Sequence, residues 1–191
     1  MSYSDNTVDL SVLPIFDGFV GYACDVGAND GRCNSNTLMF EEAGWTVLCI
    51  EPNPLLEEKG RLARKLWRQV ACGAEDEDEA EFYSIEGHDT FASASALRNK
   101  SLPEVTAWHK TFLVAVRTLD RLLEEAGFSR LDYLTVDVEG WEREVMKGFS
   151  VERWKPKVIV LEEWTDEAIA IPGYSIVQRK SYDNIYKRNE P

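Results

Sequence analysis

The sequence has no apolar run long enough to cross a bilayer; its most apolar stretches, Trp45–Ile50 and Val158–Leu161, are strand-sized. No membrane span is expected. Residues 1–20 carry Asp5, Asp9 and Asp17 and lack a basic start followed by an apolar stretch, so no secretory signal is read there and a cytoplasmic location is expected. Histidine is nearly absent, with two residues, and the four cysteines (Cys24, Cys33, Cys49, Cys72) form no CxxC pair. That disfavours a thiolate–imidazole zinc site and leaves the cysteines as reduced, mostly packed thiols. Cationic residues are scarce: 21 Lys and Arg against 34 Asp and Glu give a net charge of −13, which opposes attraction to phosphate backbones and anionic lipid. Neither nucleic acid nor a membrane surface is an expected partner.

The 191 residues, 44% hydrophobic and 29% charged, suit a single globular domain with one continuous core. Strand-like apolar runs alternate with helical ones, which predicts an α/β fold, a parallel sheet with helices on its faces. Tyr22–Val26 reads as a strand running into a Gly-rich turn, and Asn36–Ala43 as a helix stopped at Gly44. Trp45–Ile50 reads as a second strand, cut off by Glu51-Pro52-Asn53-Pro54. The spacing then predicts a helix over Leu55–Trp67, a third strand over Gln69–Gly73, and a solvated acidic turn, Glu75–Glu81, leading into a strand at Phe82–Ile85. Between Glu86 and Lys110 the periodicity gives way to Gly, Ser, Asp, Asn and His, the composition of a long substrate-side loop or lid. Beyond it, Phe112–Val116, Leu131–Val138 and Val158–Leu161 read as strands, Leu119–Ala126 and Trp141–Lys147 as helices, and Tyr174–Val177 with Ile185–Tyr186 as a closing pair.

In an open parallel sheet, ligands sit beyond the carboxyl ends of the strands. Gly27 and Gly31, in the turn Asp25–Gly31, let the backbone approach a ligand closely, and the helix that follows offers unpaired N–H groups. Glu51 lies 24 residues after Gly27 at the end of the second strand, where a carboxylate accepts hydrogen bonds from both hydroxyls of a ribose. A diphosphate-binding oxidoreductase would show GxGxxG; this turn reads Gly-Ala-Asn-Asp-Gly, with Asp25 before it and Asp30 inside it. Those carboxylates disfavour a pyrophosphate and suit a ligand with an ammonium and a sulfonium centre, as in S-adenosylmethionine.

The motifs DVGANDG (Asp25–Gly31), SNT (Ser35–Thr37), GW (Gly44-Trp45) and IEPNP (Ile50–Pro54) resemble the FkbM-type methyltransferases. RTLDRLL (Arg117–Leu123), DYLTVDVEGWEREVMKGF (Asp132–Phe149) and PKVIVLE (Pro156–Glu162) extend the resemblance over most of the chain. It implies a class I methyltransferase (Rossmann-like) fold, a three-layer sandwich whose mostly parallel sheet has an antiparallel last strand. It also implies S-adenosylmethionine as donor and a hydroxyl acceptor, often on a sugar or a polyketide-derived natural product. On this reading Asp25, Gly27, Asn29, Gly31, Asn36, Glu51, Asn53 and Asp137 are the expected cofactor-binding residues, and the partner is a small-molecule or carbohydrate-like acceptor. N-methylation of an amine, a nucleotide-dependent oxidoreductase and a non-catalytic binding module are the competing readings.

In-line methyl transfer mostly requires that the acceptor oxygen be held aligned, with removal of its proton as a second task. Asp137 is the first candidate for binding the hydroxyl or taking its proton. Glu139, beyond Val138, either joins it or bonds the helix N–H groups at the start of Trp141–Lys147. His88, in the lid, and His109, beside it, are candidate bases, and Ser93, Ser95 and Arg98 are candidate substrate contacts. Trp108 and Trp141 are expected to serve packing before ligand stacking. Asp137, Glu162 and Glu163 sit at the ends of two strands expected to be neighbours, a placement similar to the metal ligands of catechol-type methyltransferases, and are candidate ligands for Mg²⁺.

Overall fold

Strands buried on both faces need helices on both faces, and the apolar runs of this chain supply them. The computed structural model describes residues 1–85, 96–97, 109–164 and 167–190. Strands follow in the order β1 (Tyr22–Val26), β2 (Thr46–Ile50), β3 (Leu66–Arg68), β4 (Ala71–Cys72), β5 (Glu77–Ile85), β6 (Ala96–Leu97), β7 (His109–Arg117), β8 (Tyr133–Val136), β9 (Val158–Glu162), β10 (Tyr174–Lys180) and β11 (Asp183–Arg188). Helices α1 (Val8–Val12), α2 (Leu38–Glu42), α3 (Glu57–Ala63), α4 (Leu119–Glu125), α5 (Glu142–Lys147) and α6 (Val151–Trp154) lie before and between them. The main sheet has seven strands in the order β10-β11-β9-β8-β1-β2-β3. Its last strand in the chain, β11, is antiparallel to both neighbours, as expected.

Side-chain alternation splits the core into two apolar layers. Cys24, Val26, Leu134, Val136, Ile159 and Leu161 face Leu119, Leu123, Val145 and Phe149 from the segments of α4 and α5. Ala23, Val47, Cys49, Tyr133, Val158 and Val160 face Val8, Val12, Phe16 and Phe40 from the α1 and α2 side. The sheet is therefore the middle of three layers. Among the described residues no helix is long and apolar enough to cross a membrane.

Two segments depart from the sequence reading. Leu66 and Trp67, read as the end of a helix, form β3 instead, because α3 stops at Ala63 and Arg64 turns extended. Trp67 lies against Gly60, where an added Cβ would fall 2.3 Å from the indole, so helix and strand pack back to back. The expected third strand is thereby divided: its Ala71-Cys72 part joins a second sheet, β4-β7-β5-β6, that no periodicity announced. The acidic stretch read as a turn is strand from Glu77 onward, paired antiparallel with β7, and its flanking charges meet cations of β7 and α4. Arg117 pairs with Asp78 at 2.8 Å and Arg121 with Asp76 at 2.5 Å.

Candidate active site

The ends of β1, β2 and β8 open into a cleft whose space, counting its open mouth, is about 780 Å³. Gly27 closes the turn after β1 with φ +90, and its Cβ position lies 1.7 Å from the Asp137 carbonyl oxygen, so only glycine lets these two turns meet. The N–H groups of Gly27 and Ala28 both donate to the Ile50 carbonyl, at 2.9 and 3.1 Å, which fixes the turn against the end of β2.

Glu51 follows at once and lines the cleft, 6% exposed. Its Oε2 accepts the N–H of Asn29 at 3.0 Å and its Oε1 that of Asn53 at 2.9 Å. Burial pushes its pKa up to about 7 against those two bonds. A carboxylate oxygen can accept more than one hydrogen bond, so both oxygens keep capacity for a ligand's hydroxyls. Asn29, at φ +51, lines the same wall. Pro52, Val70, Ala71, Cys72 and Phe82 add an apolar side that the sequence did not single out. Trp141 also lines the cleft, and its buried indole N–H has no partner among the described residues.

Other expected cofactor residues support the cleft from behind. Asp25 is buried away from it, accepting the Thr37 hydroxyl at 2.5 Å with Arg64 Nη1 3.8 Å away. Burial raises its pKa, and Arg64 opposes that. Asp30 accepts the backbone N–H groups of Arg32 and Cys33. The two carboxylates that argued for a cationic ligand are thus occupied internally, and that argument passes to Glu51 and Glu139, which line the cleft. Gly31 makes room for Arg64, whose Cγ lies 2.7 Å from its Cβ position. Asn36 donates to the Thr135 hydroxyl at 3.1 Å, and Asn53 to that of Ser84 at 3.1 Å.

At the mouth, Asp137, Glu139 and Glu162 each bring a carboxylate oxygen to within 4.8 Å of the others. Glu163 does not join them, because consecutive residues at a strand end point to opposite faces. Its carboxylate accepts from Asn184 Nδ2 at 2.5 Å, the Tyr186 hydroxyl at 2.6 Å and the Ile169 N–H at 2.5 Å. The expected metal set Asp137, Glu162 and Glu163 is therefore corrected to a trio with Glu139. Carboxylate oxygens are the donor type of hard cations such as Mg²⁺, and acidic clusters are common without an ion. Glu142, the first residue of α5, braces the preceding turn: its Oε1 accepts the N–H groups of Val138 and Gly140, each at 3.1 Å. Glu139, at φ +57, is left facing the cleft. Burial, then Glu162, raises its pKa to about 7. Burial and the neighbouring Glu162, Glu139 and Asp183 hold Asp137 well above the usual carboxylate range. His88, Ser93, Ser95, Arg98 and Trp108 lie outside the described residues, as does the side chain of His109.

Residues 25–170 match the family described as Methyltransferase FkbM domain. The chain belongs to that family. Its sheet is accordingly a class I methyltransferase fold, and the strand ends that carry Gly27, Glu51 and Asp137 lie inside the matched region. A fungal protein, Methyltransferase sdnD of Sordaria araneosa, is 36% identical over 67 residues, which span 35% of this chain and 26% of that protein. Membership in the FkbM family implies S-adenosylmethionine as methyl donor, and the residues present fit it: a buried acceptor pair on Glu51, an apolar wall, an unpartnered indole donor and carboxylates at the mouth.

The charge of this FkbM domain's cleft has a measurable consequence. Glu51 and Glu139 ionise at about 7 in the fold against an ordinary 4.5, and Asp183, near Glu162, at about 7 against 3.8. The folded chain holds extra protons between those values, so the stability they contribute is complete below the unfolded pKa and is lost as pH rises through about 7. Thermal melts of the cofactor-free protein are expected to show Tm falling from about pH 5 to about pH 8, with Glu51→Gln flattening the slope. A Tm that climbs across that window in wild type would refute the raised values.

Proposed function

We propose that this FkbM domain transfers the methyl group of S-adenosylmethionine to a hydroxyl oxygen of a small-molecule or carbohydrate-like acceptor. The observation that carries the donor half is Glu51: a buried carboxylate at the end of β2, fixed by two backbone N–H groups and open to the cleft. Its two oxygens accept the 2′ and 3′ hydroxyls of a ribose, while Pro52, Val70 and Phe82 shelter the adenine and Trp141 offers an N–H donor. At the acidic mouth, Glu139 balances the positive charge at the other end of the donor.

The sulfonium supplies the methyl group: the S–C bond breaks as the O–C bond forms, leaving S-adenosylhomocysteine, a methyl ether and one proton. Glu139 takes that proton. Its pKa of about 7 lets it be ionised before transfer and protonated after. Asp137, pushed toward its protonated form by burial and by Glu162, orients the acceptor by a hydrogen bond. A base at Glu139 supports O-methylation, because a neutral hydroxyl is a weak nucleophile that needs proton removal whereas a neutral amine attacks without it.

Isothermal titration of wild type with S-adenosylmethionine and, separately, NAD tests this, with and without Mg²⁺. Wild type is expected to bind S-adenosylmethionine and ignore NAD. Glu51→Ala is expected to bind about 100-fold more weakly, since hydrogen bonds to a charged group are among the strongest and Asn29 and Asn53 also lose their acceptor. Wild type that does not bind S-adenosylmethionine would end the proposal.

A further inference from the structure

The hairpin of β10 and β11 places its tip at the ligand end of the sheet, because β11 runs antiparallel to β9 and sets Asp183 opposite Glu162. Ser181, at φ +56, turns the chain, and the Glu163 N–H donates to the Tyr182 carbonyl at 2.8 Å. Trp164, two residues beyond Glu162, stacks on Tyr182 with ring centroids 4.9 Å apart and planes at 12°. Its indole N–H donates to Glu162 Oε2 at 2.9 Å. Both rings nevertheless remain largely open to solvent, Trp164 57% and Tyr182 51% exposed.

Single exposed hydrophobic residues need no explanation. This pair differs because two large rings are stacked in one plane direction, and one of them is oriented by a carboxylate of the catalytic mouth. Among the described residues neither ring belongs to an apolar core cluster. An aromatic face accepts the C–H groups of a ring; adjacent carboxylates accept its hydroxyl donors. Charge narrows the occupant further. Asp137, Glu139, Glu162 and Asp183 crowd the mouth, and among the described residues no lysine or arginine lines the cleft. A phosphate or carboxylate on the acceptor would find no cationic partner among those lining residues.

We infer that Trp164, backed by the stacked Tyr182, is the acceptor platform of this site, its outer face taking the C–H face of an uncharged polyhydroxylated ring while the hydroxyl edge of that ring reaches Glu139 and Glu162. The inference rests on the methyl-transfer reading for the reaction, but ring binding is measurable without turnover. Trp164 is expected to act on acceptor affinity alone, because it touches Glu162 and not the wall that holds the donor.

The test uses protein carrying 5-fluorotryptophan, read by ¹⁹F NMR with S-adenosylhomocysteine present, the Trp164 resonance being assigned by its loss in Trp164→Phe. The probes are methyl glucopyranoside, methyl mannopyranoside and methyl rhamnopyranoside, against glucose 6-phosphate and methyl glucuronoside. At least one neutral glycoside is expected to move the Trp164 resonance saturably, and the two anionic sugars are not. By a separate calorimetric titration of that glycoside, Trp164→Ala is expected to weaken binding about ten-fold, with Trp164→Phe restoring most of it and S-adenosylhomocysteine affinity unchanged in both. If S-adenosylhomocysteine binds and no neutral glycoside moves the resonance, the platform is refuted and the methyl-transfer reading survives. Equal binding of glucose 6-phosphate would refute the charge selection. If S-adenosylhomocysteine itself fails to bind, the methyl-transfer reading falls, and the glycoside shifts still judge the platform.

Discussion

Glu139→Gln is expected to lower kcat by about 10²- to 10⁴-fold, the range that a positioned general base contributes, with S-adenosylmethionine affinity nearly unchanged. Glutamine keeps the size and one hydrogen-bonding oxygen of glutamate and loses the ability to take a proton. The loop should survive the change, since Val138 and Gly140 are held by Glu142 and not by Glu139. Asp137→Asn is the control. Asp137 is pushed toward its protonated form by burial and by Glu162, so an amide there keeps a donor and costs less than the change at Glu139. Single-turnover transfer of a labelled methyl group, at saturating donor and acceptor, separates the two. A larger loss in Asp137→Asn than in Glu139→Gln would reverse their assigned roles, and no loss in either would move the base to another residue.

The strands that carry the site were legible because turn chemistry brackets them: β1 ends at Gly27, and β2 at Glu51-Pro52. Glu51 was legible for the same reason, its place after a strand being fixed by the proline that cannot continue the ladder. What failed did so where a distant partner decides. Leu55, Leu62, Leu66 and Trp67 recur at helical spacing, yet Leu62 is 81% exposed and Trp67 is buried in a strand, so that stripe was never one core face. Asp25 follows the motif into the Gly-rich turn, but its side chain points to Thr37 and Arg64, and nothing near it in sequence announces an arginine 39 residues on. Glu162 and Glu163 are indistinguishable as a dipeptide. Only the pleat, together with Tyr186 and Asn184 on β11, sends one to the mouth and the other to the core.

The same arginine carries the largest expected effect on stability. Its side chain is fully buried, with Nε on Glu41 at 2.6 Å, Nη2 on the Thr37 hydroxyl at 2.8 Å and Nη1 on Ser35 Oγ and the Gly31 carbonyl at 3.1 and 3.2 Å. Arg64→Ala leaves Asp25 and Glu41 as buried carboxylates without a cation, a loss of about 3–5 kcal/mol for removing one partner of a buried pair. Against a total of about 5–15 kcal/mol for a domain, that is a large share of the stability. Urea unfolding at neutral pH measures it. Arg64→Lys is expected to recover only part of the loss, because an ammonium cannot span Glu41, Thr37 and Gly31 at once as the planar guanidinium does. The sign of the pH dependence identifies the cause. Without the cation, the raised pKa of Asp25 moves higher still, so the variant gains relative to wild type as pH falls and the orphaned carboxyl protonates. A deficit that stays constant from about pH 8 to about pH 5 would mean that Arg64 stabilises the chain through its packing against Gly31 and not through the charges it neutralises.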